Sequence, residues 1–245
     1  MLSCRYELKY RISESRARAI ADFIKLYLHK DKYALSTPSG DYPISSLYFD
    51  SDGLRLCRDT IEGRMNRFKL RVRTYSDEPK SPCFFEVKRR INNVILKGRA
   101  RVKKSDIPLI LSGRLPDSVY KEDEQVLRQF QLYKDSLNAR PLILVRYDRQ
   151  AFEGDTTTRV RVTFDRNLHY KTVTTPEVEV YGANWHRVPL NFVVLEIKFT
   201  QQFPSWLSSM VKCFDLKQGA FSKYVSTIKQ SNSLGASSPI MMMGQ

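Results

Sequence analysis

The sequence predicts an α+β fold made mainly of antiparallel strands, and three observations carry that expectation. Between Phe68 and Lys104 lie three basic segments at strand spacing: Lys69-Leu70-Arg71-Val72-Arg73-Thr74-Tyr75, Phe84-Phe85-Glu86-Val87-Lys88 and Lys97-Gly98-Arg99-Ala100-Arg101-Val102-Lys103. The same charged/apolar alternation recurs at 5–12, 158–165 and 191–200, with carboxylates among the cations. Helical periodicity, by contrast, is confined to a few stretches.

Side chains at i, i+2 and i+4 of a strand share a face. Lys69, Arg71 and Arg73 therefore lie opposite Leu70 and Val72, and Glu86 and Lys88 lie opposite Val87. Lys97, Arg99, Arg101 and Lys103 line up in the same way.

Taken in order, Arg5–Ile12 alternates Arg5, Glu7, Lys9 and Arg11 against Tyr6, Leu8, Tyr10 and Ile12, which predicts a strand with one charged side. Ser13 precedes Glu14 and a helical rhythm at Ala17, Ile20, Ala21, Phe23, Ile24 and Tyr27, so it is the expected N-cap. A loop is expected over Ser36–Pro43, a strand over Ile44–Asp50, a turn at Asp52-Gly53 and a short helix over Leu54–Glu62. The basic strands follow at 64–75, 83–90 and 94–103, the last two joined by a hairpin turn at Ile91-Asn92-Asn93. Ser105–Asn138 changes character, and its apolar positions suggest a helix. Strands resume over Leu142–Arg149 and Thr158–Asp165, where Arg159, Arg161, Thr163 and Asp165 would share a face. Leu168–Val180 is weaker, with Glu177 and Glu179 on one side. Asn191–Thr200 places Glu196 and Lys198 on one face, and Pro204–Phe214 reads as a helix. The expected organisation is a single domain over 1–230 followed by a disordered Ser/Gly/Met-rich tail over 231–245.

The hydrophobic fraction of 42% supports a packed core, and the net charge of +15 calls for a polyanionic partner such as nucleic acid, an anionic membrane or a phosphate-rich molecule. Cys4, Cys57, Cys83 and Cys213 are scattered without a CxxC pair, which argues against zinc and for reduced thiols in the cytosol. No apolar run reaches the ~20 residues that cross a bilayer, and no signal-peptide segment is evident at the N-terminus. His29, His169 and His186 lack metal-ligand spacing, and Gly-rich phosphate loops and Gly-x-Ser-x-Gly elbows are absent.

Two arrangements satisfy the alternation. The charged face lies open and binds an extended polyanion, or the sheet closes into a barrel with a charged interior and the helices pack outside. A barrel of about eight strands has room for side chains or one slim ligand. Unpaired cations in such an interior would repel one another unless phosphate, water or a divalent metal relieved them. Arg matches phosphate oxygens bidentately, whereas Lys acts as a point charge. Glu7, Glu86 and Glu196 make sense among these cations as ligands to Mg²⁺ or Mn²⁺. Nucleic acid is disfavoured because the charged strands lack an aromatic stacking platform on the same face.

Nine motifs in shared order carry a resemblance: Tyr-Glu-Leu-Lys-Tyr (6–10), Ser-Leu-Tyr-Phe-Asp (46–50), Lys-Leu-Arg-Val-Arg-Thr-Tyr (69–75), Phe-Glu-Val-Lys (85–88), Lys-Gly-Arg (97–99), Tyr-Asp-Arg-Gln-Ala-Phe (147–152), Arg-Val-Arg-Val-Thr-Phe-Asp (159–165), Leu-Glu-Ile-Lys (195–198) and Phe-Ser-Lys-Tyr (221–224). From about Arg5 to Ile228 the chain resembles the polyphosphate polymerase domain of the vacuolar transporter chaperone (VTC) family, among the triphosphate tunnel metalloenzymes. The resemblance implies a closed antiparallel β tunnel. It also implies transfer of the γ-phosphate of ATP to a growing polyphosphate chain, with Mn²⁺ or Mg²⁺ as cofactor. Lys9, Arg71, Arg73, Lys88 and Arg161 would act on the transferred phosphate, and Lys97, Arg149 and Lys223 would bind the substrate. Arg159 and Lys198 join them by strand parity. Glu196 falls where the family places a metal-binding glutamate, with Glu7 and Glu86 as further metal candidates.

Two departures stand out. Related tunnel enzymes open with Glu-x-Glu-x-Lys, but Arg5 occupies the first position here, which thins a metal site on that strand. The eukaryotic polymerases carry a Lys where this chain has Ala220. The alternatives are a metal-dependent triphosphate hydrolase, with water activated by Glu7 or Glu86, and a polyphosphate-binding module without turnover. The expected partners are ATP or another triphosphate, polyphosphate and a membrane protein. The expected location is the cytoplasm, at the inner face of a membrane through that partner.

Overall fold

The computed structural model describes residues 5–92, 94–117, 119–155, 159–200 and 202–233. Cys4 and the tail beyond Ser233, both subjects of expectations above, lie outside them. The elements run β1 (Arg5–Ile12), α1 (Glu14–Ile24), β2 (His29–Lys30), α2 (Lys32–Leu35), β3 (Asp41–Asp50), α3 (Arg55–Ile61), β4 (Asn66–Thr74), β5 (Cys83–Ile91) and β6 (Val94–Val102). A 3₁₀ turn (Lys104–Asp106) leads to α4 (Ile107–Leu111), α5 (Lys121–Ser136), β7 (Arg140–Glu153), β8 (Arg161–Thr172), β9 (His186–Arg187), β10 (Val193–Thr200), α6 (Ser205–Cys213) and α7 (Lys223–Ser233). The expected α+β class holds. Hydrogen bonding links the strands in the order β1-β10-β8-β7-β3-β4-β5-β6, with β2 on β7 and β9 on β8. β1 and β6 end that order, so hydrogen bonds do not close the sheet among the described residues. No described helix is long and apolar enough to cross a membrane.

The chain forms two compact units: Met1–Pro43 with Tyr147–Leu168 and Pro189–Ser222, and Ile44–Arg146 with His169–Val188 and Lys223–Gln245. In the first, α1 starts where Ser13 accepts a hydrogen bond from the Arg16 amide at 3.2 Å. Its buried stripe of Ala17, Ile20 and Ile24 packs with Tyr10, Ile12, Phe164, Leu195 and Ile197 from the strands and with Leu207 and Met210 from α6. Half of each strand is thereby committed to the core, which leaves the alternate residues of β1, β10 and β8 for the charged face.

In the second unit the same division is made by α4 and α5. Leu70, Val72, Phe85, Val87 and Ala100 bury against Ile107, Ile110, Leu127 and Phe130. A Cβ at Gly98 would meet Val126 Cγ1 of α5 at 3.1 Å, so this strand position holds a glycine because a helix lies directly on it. Cys57, Cys83 and Cys213 are free thiols.

Three sequence expectations are corrected. β8 begins at Arg161, not at Thr158, and Arg159 precedes it at a left-handed φ of 39°. The expected 36–43 loop is shorter, since β3 already starts at Asp41 and α2 occupies Lys32–Leu35. The polar end expected after Val225 and the first residues of the tail expected to be disordered, 231–233, belong to a helix, Lys223–Ser233.

Candidate functional site

In the first unit, strand register sets opposite charges across from one another. Lys9 of β1 faces Glu196 of β10, and Glu7 faces Lys198, which in turn faces Arg161 of β8. Lys9 Nζ lies 3.2 Å from Glu7 and 3.6 Å from Glu196, and it donates to the Phe221 carbonyl at 3.4 Å. Burial would lower the Lys9 pKa, but Glu196 and Glu7 outweigh it and hold the ammonium charged well above its ordinary range. Lys198 reaches the other oxygen of Glu196 at 2.5 Å.

Arg149 of β7 is buried with its fork on Asp165, Nε to Oδ1 at 2.7 Å and Nη2 to Oδ2 at 2.8 Å. Burial opposes that charge, and Asp165 more than restores it. Arg161 bonds Glu153 at 2.5 Å, the buried Asp31, and the Tyr42 hydroxyl at 3.3 Å, while Tyr42 donates to Asp31 at 2.8 Å. Each of these cations has a carboxylate of its own.

The second unit is built differently. The β4–β5–β6 register stacks like charges: Lys69, Lys88 and Lys97 form one row, and Arg71, Glu86 and Arg99 form the next. Glu86 is 1% exposed and serves four cations. Arg71 Nη2 sits at 2.6 Å, Lys97 Nζ at 2.9 Å, Arg99 Nε at 3.6 Å and Arg73 Nη1 at 3.9 Å. Burial would raise the Glu86 pKa, yet Arg71, Arg73 and Lys97 hold it well below the carboxylate range. Burial pushes Lys97 down to about 8; Glu86 resists the shift, and Arg71 and Arg73 add to it.

Arg71 also donates to the Tyr48 hydroxyl at 3.0 Å, and Arg73 to Ser46 at 3.2 Å. Burial would raise the Tyr48 pKa, but Arg71 and Arg73 draw the phenol below its ordinary value. The Tyr48 ring stacks on Tyr224 at 4.7 Å. The Tyr224 hydroxyl donates to Asp50 at 2.6 Å, and Asp50 also accepts the Leu56 and Cys57 amides at the start of α3. Tyr224 is thus anchored at the first turn of α7, and Lys223 immediately precedes it.

The structure therefore gathers Arg71, Arg73, Lys88, Lys97 and Glu86 on one face of the second unit, with Lys223 at the start of α7. It gathers Lys9, Glu7, Glu196, Lys198, Arg149 and Arg161 in the first. Arg159 is exposed and outside the strand that was to carry it.

Sequence reading missed the counter-ions Asp31 and Glu153 and the Tyr48–Tyr224–Asp50 chain. Tyr48 and Asp50 stood in a recognised motif, but strand parity says nothing of what a tyrosine touches.

As metal donors, Glu7 and Glu196 supply hard carboxylate oxygens, with Lys9 between them and Lys198 on the second Glu196 oxygen. They fit the protein's share of a Mg²⁺ or Mn²⁺ site that phosphate and water complete. Glu86 does not fit, because a dication beside it would meet Arg71, Arg73, Lys97 and Arg99 at once. Among the described residues, no three His, Cys, Asp or Glu side chains assemble as a ready metal cage.

The chain is 22% identical over 211 residues to vacuolar transporter chaperone complex subunit 4 of Schizosaccharomyces pombe, a match covering 70% of this chain and 29% of that protein. Its fold resembles a candidate adenylate cyclase from Bacillus halodurans, solved by crystallography, with a TM-score of 0.51 at 13% identity over 90% of this chain and 94% of that one. The VTC domain family matches residues 4–232. With strand order, basic motifs and family match spanning the same residues, the chain belongs to the VTC domain family.

Proposed function

We propose that this chain is a polyphosphate polymerase that transfers the γ-phosphoryl group of ATP to the end of a polyphosphate chain. One observation carries the reading: a single buried carboxylate, Glu86, stands against Arg71, Arg73, Lys97 and Arg99, with the Lys69–Lys88–Lys97 row beside it. Such an excess of fixed cation on one sheet face is relieved by a condensed phosphate.

Phosphoryl transfer needs little covalent help from a protein and much positioning and charge stabilisation. Arg71 and Arg73 would offer phosphate oxygens the guanidinium N–H groups that Glu86, Tyr48 and Ser46 leave over, and Lys88 and Lys97 would add point charges. In the first unit, Lys9, Arg149 and Arg161 count as phosphate-binding by the family resemblance, as does Lys223 in the second, and Lys198 joins them by strand parity. Glu196 and Glu7 would hold Mn²⁺ or Mg²⁺, which would supply neutralisation of phosphate charge. The sheet closed into a tunnel around the phosphate chain belongs to this reading. Protection of β1 and β6 amides from hydrogen exchange on adding polyphosphate would support it. A docking partner in a membrane also belongs to it, on the analogy of the chaperone-complex relative.

The test is incubation with ATP and Mn²⁺. Long-chain polyphosphate with ADP supports the polymerase. Inorganic phosphate without polymer would replace it with a triphosphatase, and binding without turnover would leave a phosphate-binding module.

A further inference from the structure

The cation ladder of the second unit does not stop at the residues assigned above. Two positions along β4 and β5 from the Lys69–Lys88 pair, Arg67 and Arg90 are register partners on the same face. The opposite face there is committed to packing: Phe68 stacks on Tyr133 at 4.5 Å, and the Arg89 guanidinium sits 5.4 Å from the same ring.

Like charges directly opposite one another in a sheet are destabilising. Among the described residues, neither guanidinium has a carboxylate partner. Arg67 donates to the Arg64 carbonyl, and Arg90 donates to the Asn92 carbonyl at 3.0 Å. The acids nearest in sequence are already engaged, Asp59 with Arg55 and Arg64, Glu62 with Arg64, and Glu86 with its four cations. From this pair to Arg73 and Arg101 the ladder has three steps of two residues, about 20 Å at strand rise. That is farther than one triphosphate group reaches.

We propose that Arg67 and Arg90 form a distal anion subsite for the continuing stretch of a polyphosphate chain whose end lies at the Arg71–Arg73–Lys97 cluster. The inference rests on the phosphate-handling reading above and adds to it a place on the sheet where the body of the chain is held, beyond the reach of a free triphosphate.

The experiment compares Arg67→Gln/Arg90→Gln with the unaltered chain by titration calorimetry against long-chain polyphosphate, tripolyphosphate and single-stranded RNA. The expected result is a loss of polyphosphate affinity of about 10-fold or more, as for charge-assisted contacts, with a shallower salt dependence. Tripolyphosphate affinity should be unchanged. The melting temperature should hold or rise, because a like-charge pair has been removed.

Equal losses for polyphosphate and tripolyphosphate would overturn the distal subsite and leave the primary phosphate site standing. No loss for either would do the same. A loss confined to RNA would overturn it in favour of a nucleic-acid surface. If the unaltered chain binds neither phosphate ligand, both readings fall.

Discussion

Arg71 and Glu86 face one another across β4 and β5, Nη2 at 2.6 Å and Nε at 2.7 Å from the same carboxylate oxygen. The pair leaves the other oxygen to Lys97. Glu86 thereby ties the cations of two flanking strands to one point and keeps a self-repelling face in register.

Glu86→Gln should therefore destabilise the protein by about 3–5 kcal/mol near neutral pH, the usual cost of stripping one partner from a buried ion pair. The sign of the acid dependence follows from the depressed carboxyl. Its stabilisation is present above the ordinary glutamate value and is lost as pH falls below it toward the folded value. Urea unfolding of wild type and variant at pH near 6 and at pH below 4 checks this. A variant as stable as wild type at the higher pH would remove Glu86 from the structural role given it.

Lys97 offers a pH test of the proposed phosphate face. Its ammonium titrates at about 8, through burial and the nearness of Arg71 and Arg73, against the pull of Glu86. Tripolyphosphate affinity should fall as pH rises through that value, and Lys97→Arg should flatten the profile because a guanidinium stays charged. For stability the sign is opposite. The unfolded chain binds the extra proton between about 8 and the ordinary lysine value of about 10.4, so Lys97 makes the fold more stable as pH rises across that window. Calorimetric titrations either side of pH 8 decide the point. An identical profile in the arginine variant would show that another group titrates.

Arg149 belongs to a closed pair, both members buried, and its removal should act mainly on folding. Arg149→Ala leaves Asp165 buried without its fork and should cost about 3–5 kcal/mol. Arg149→Lys should fall between, keeping the charge and losing the bidentate geometry. Chemical denaturation of the three proteins measures this. The same caution reaches Arg161, which holds buried Asp31, so loss of turnover in Arg161→Ala must be read beside its stability. A stable Arg149→Ala protein that has lost phosphate binding would reverse the assignment.

How much of this was legible beforehand depends on range. Strand alternation is local, so Leu70 and Val72 were correctly separated from Arg71 and Arg73, and the cations of β4, β5, β6 and β10 were placed on the charged face. Counter-ions are not local: Asp31 and Arg161 are 130 residues apart, and nothing in either segment names the other. Parity also assigns a face without assigning neighbours. Glu86 was thus placed on the charged face but cast as a metal ligand, a role its four cations oppose. Arg159 failed because parity was extended past the true start of β8. Helix α7 was missed because its inner side is partly hydroxylic. Thr227 and Ser231 are buried, with their hydroxyls donated to the Tyr224 and Ile228 carbonyls one turn back, so they read as polar surface.

Gly98 lies between two cations of the ladder, and its side of β6 faces α5. Replacing it by alanine would reduce the freedom of the unfolded chain, which alone would stabilise by about 0.4–1 kcal/mol. Against this, the new Cβ would stand 3.1 Å and 3.3 Å from the two methyls of Val126. Valine in a helix has essentially one χ1 rotamer, so the methyls cannot swing aside. Helix α5 must instead back away, loosening Leu127 and Phe130 against Phe85 and Ala100. Overpacking of this kind costs about 1–3 kcal/mol, so Gly98→Ala should be destabilising by about 1 kcal/mol net. Val126→Ala in the same chain should recover most of the clash, giving a favourable coupling in a double-mutant cycle by urea unfolding. If Gly98→Ala alone proved as stable as wild type, the close seating of α5 on β6 would not be what demands glycine between Lys97 and Arg99.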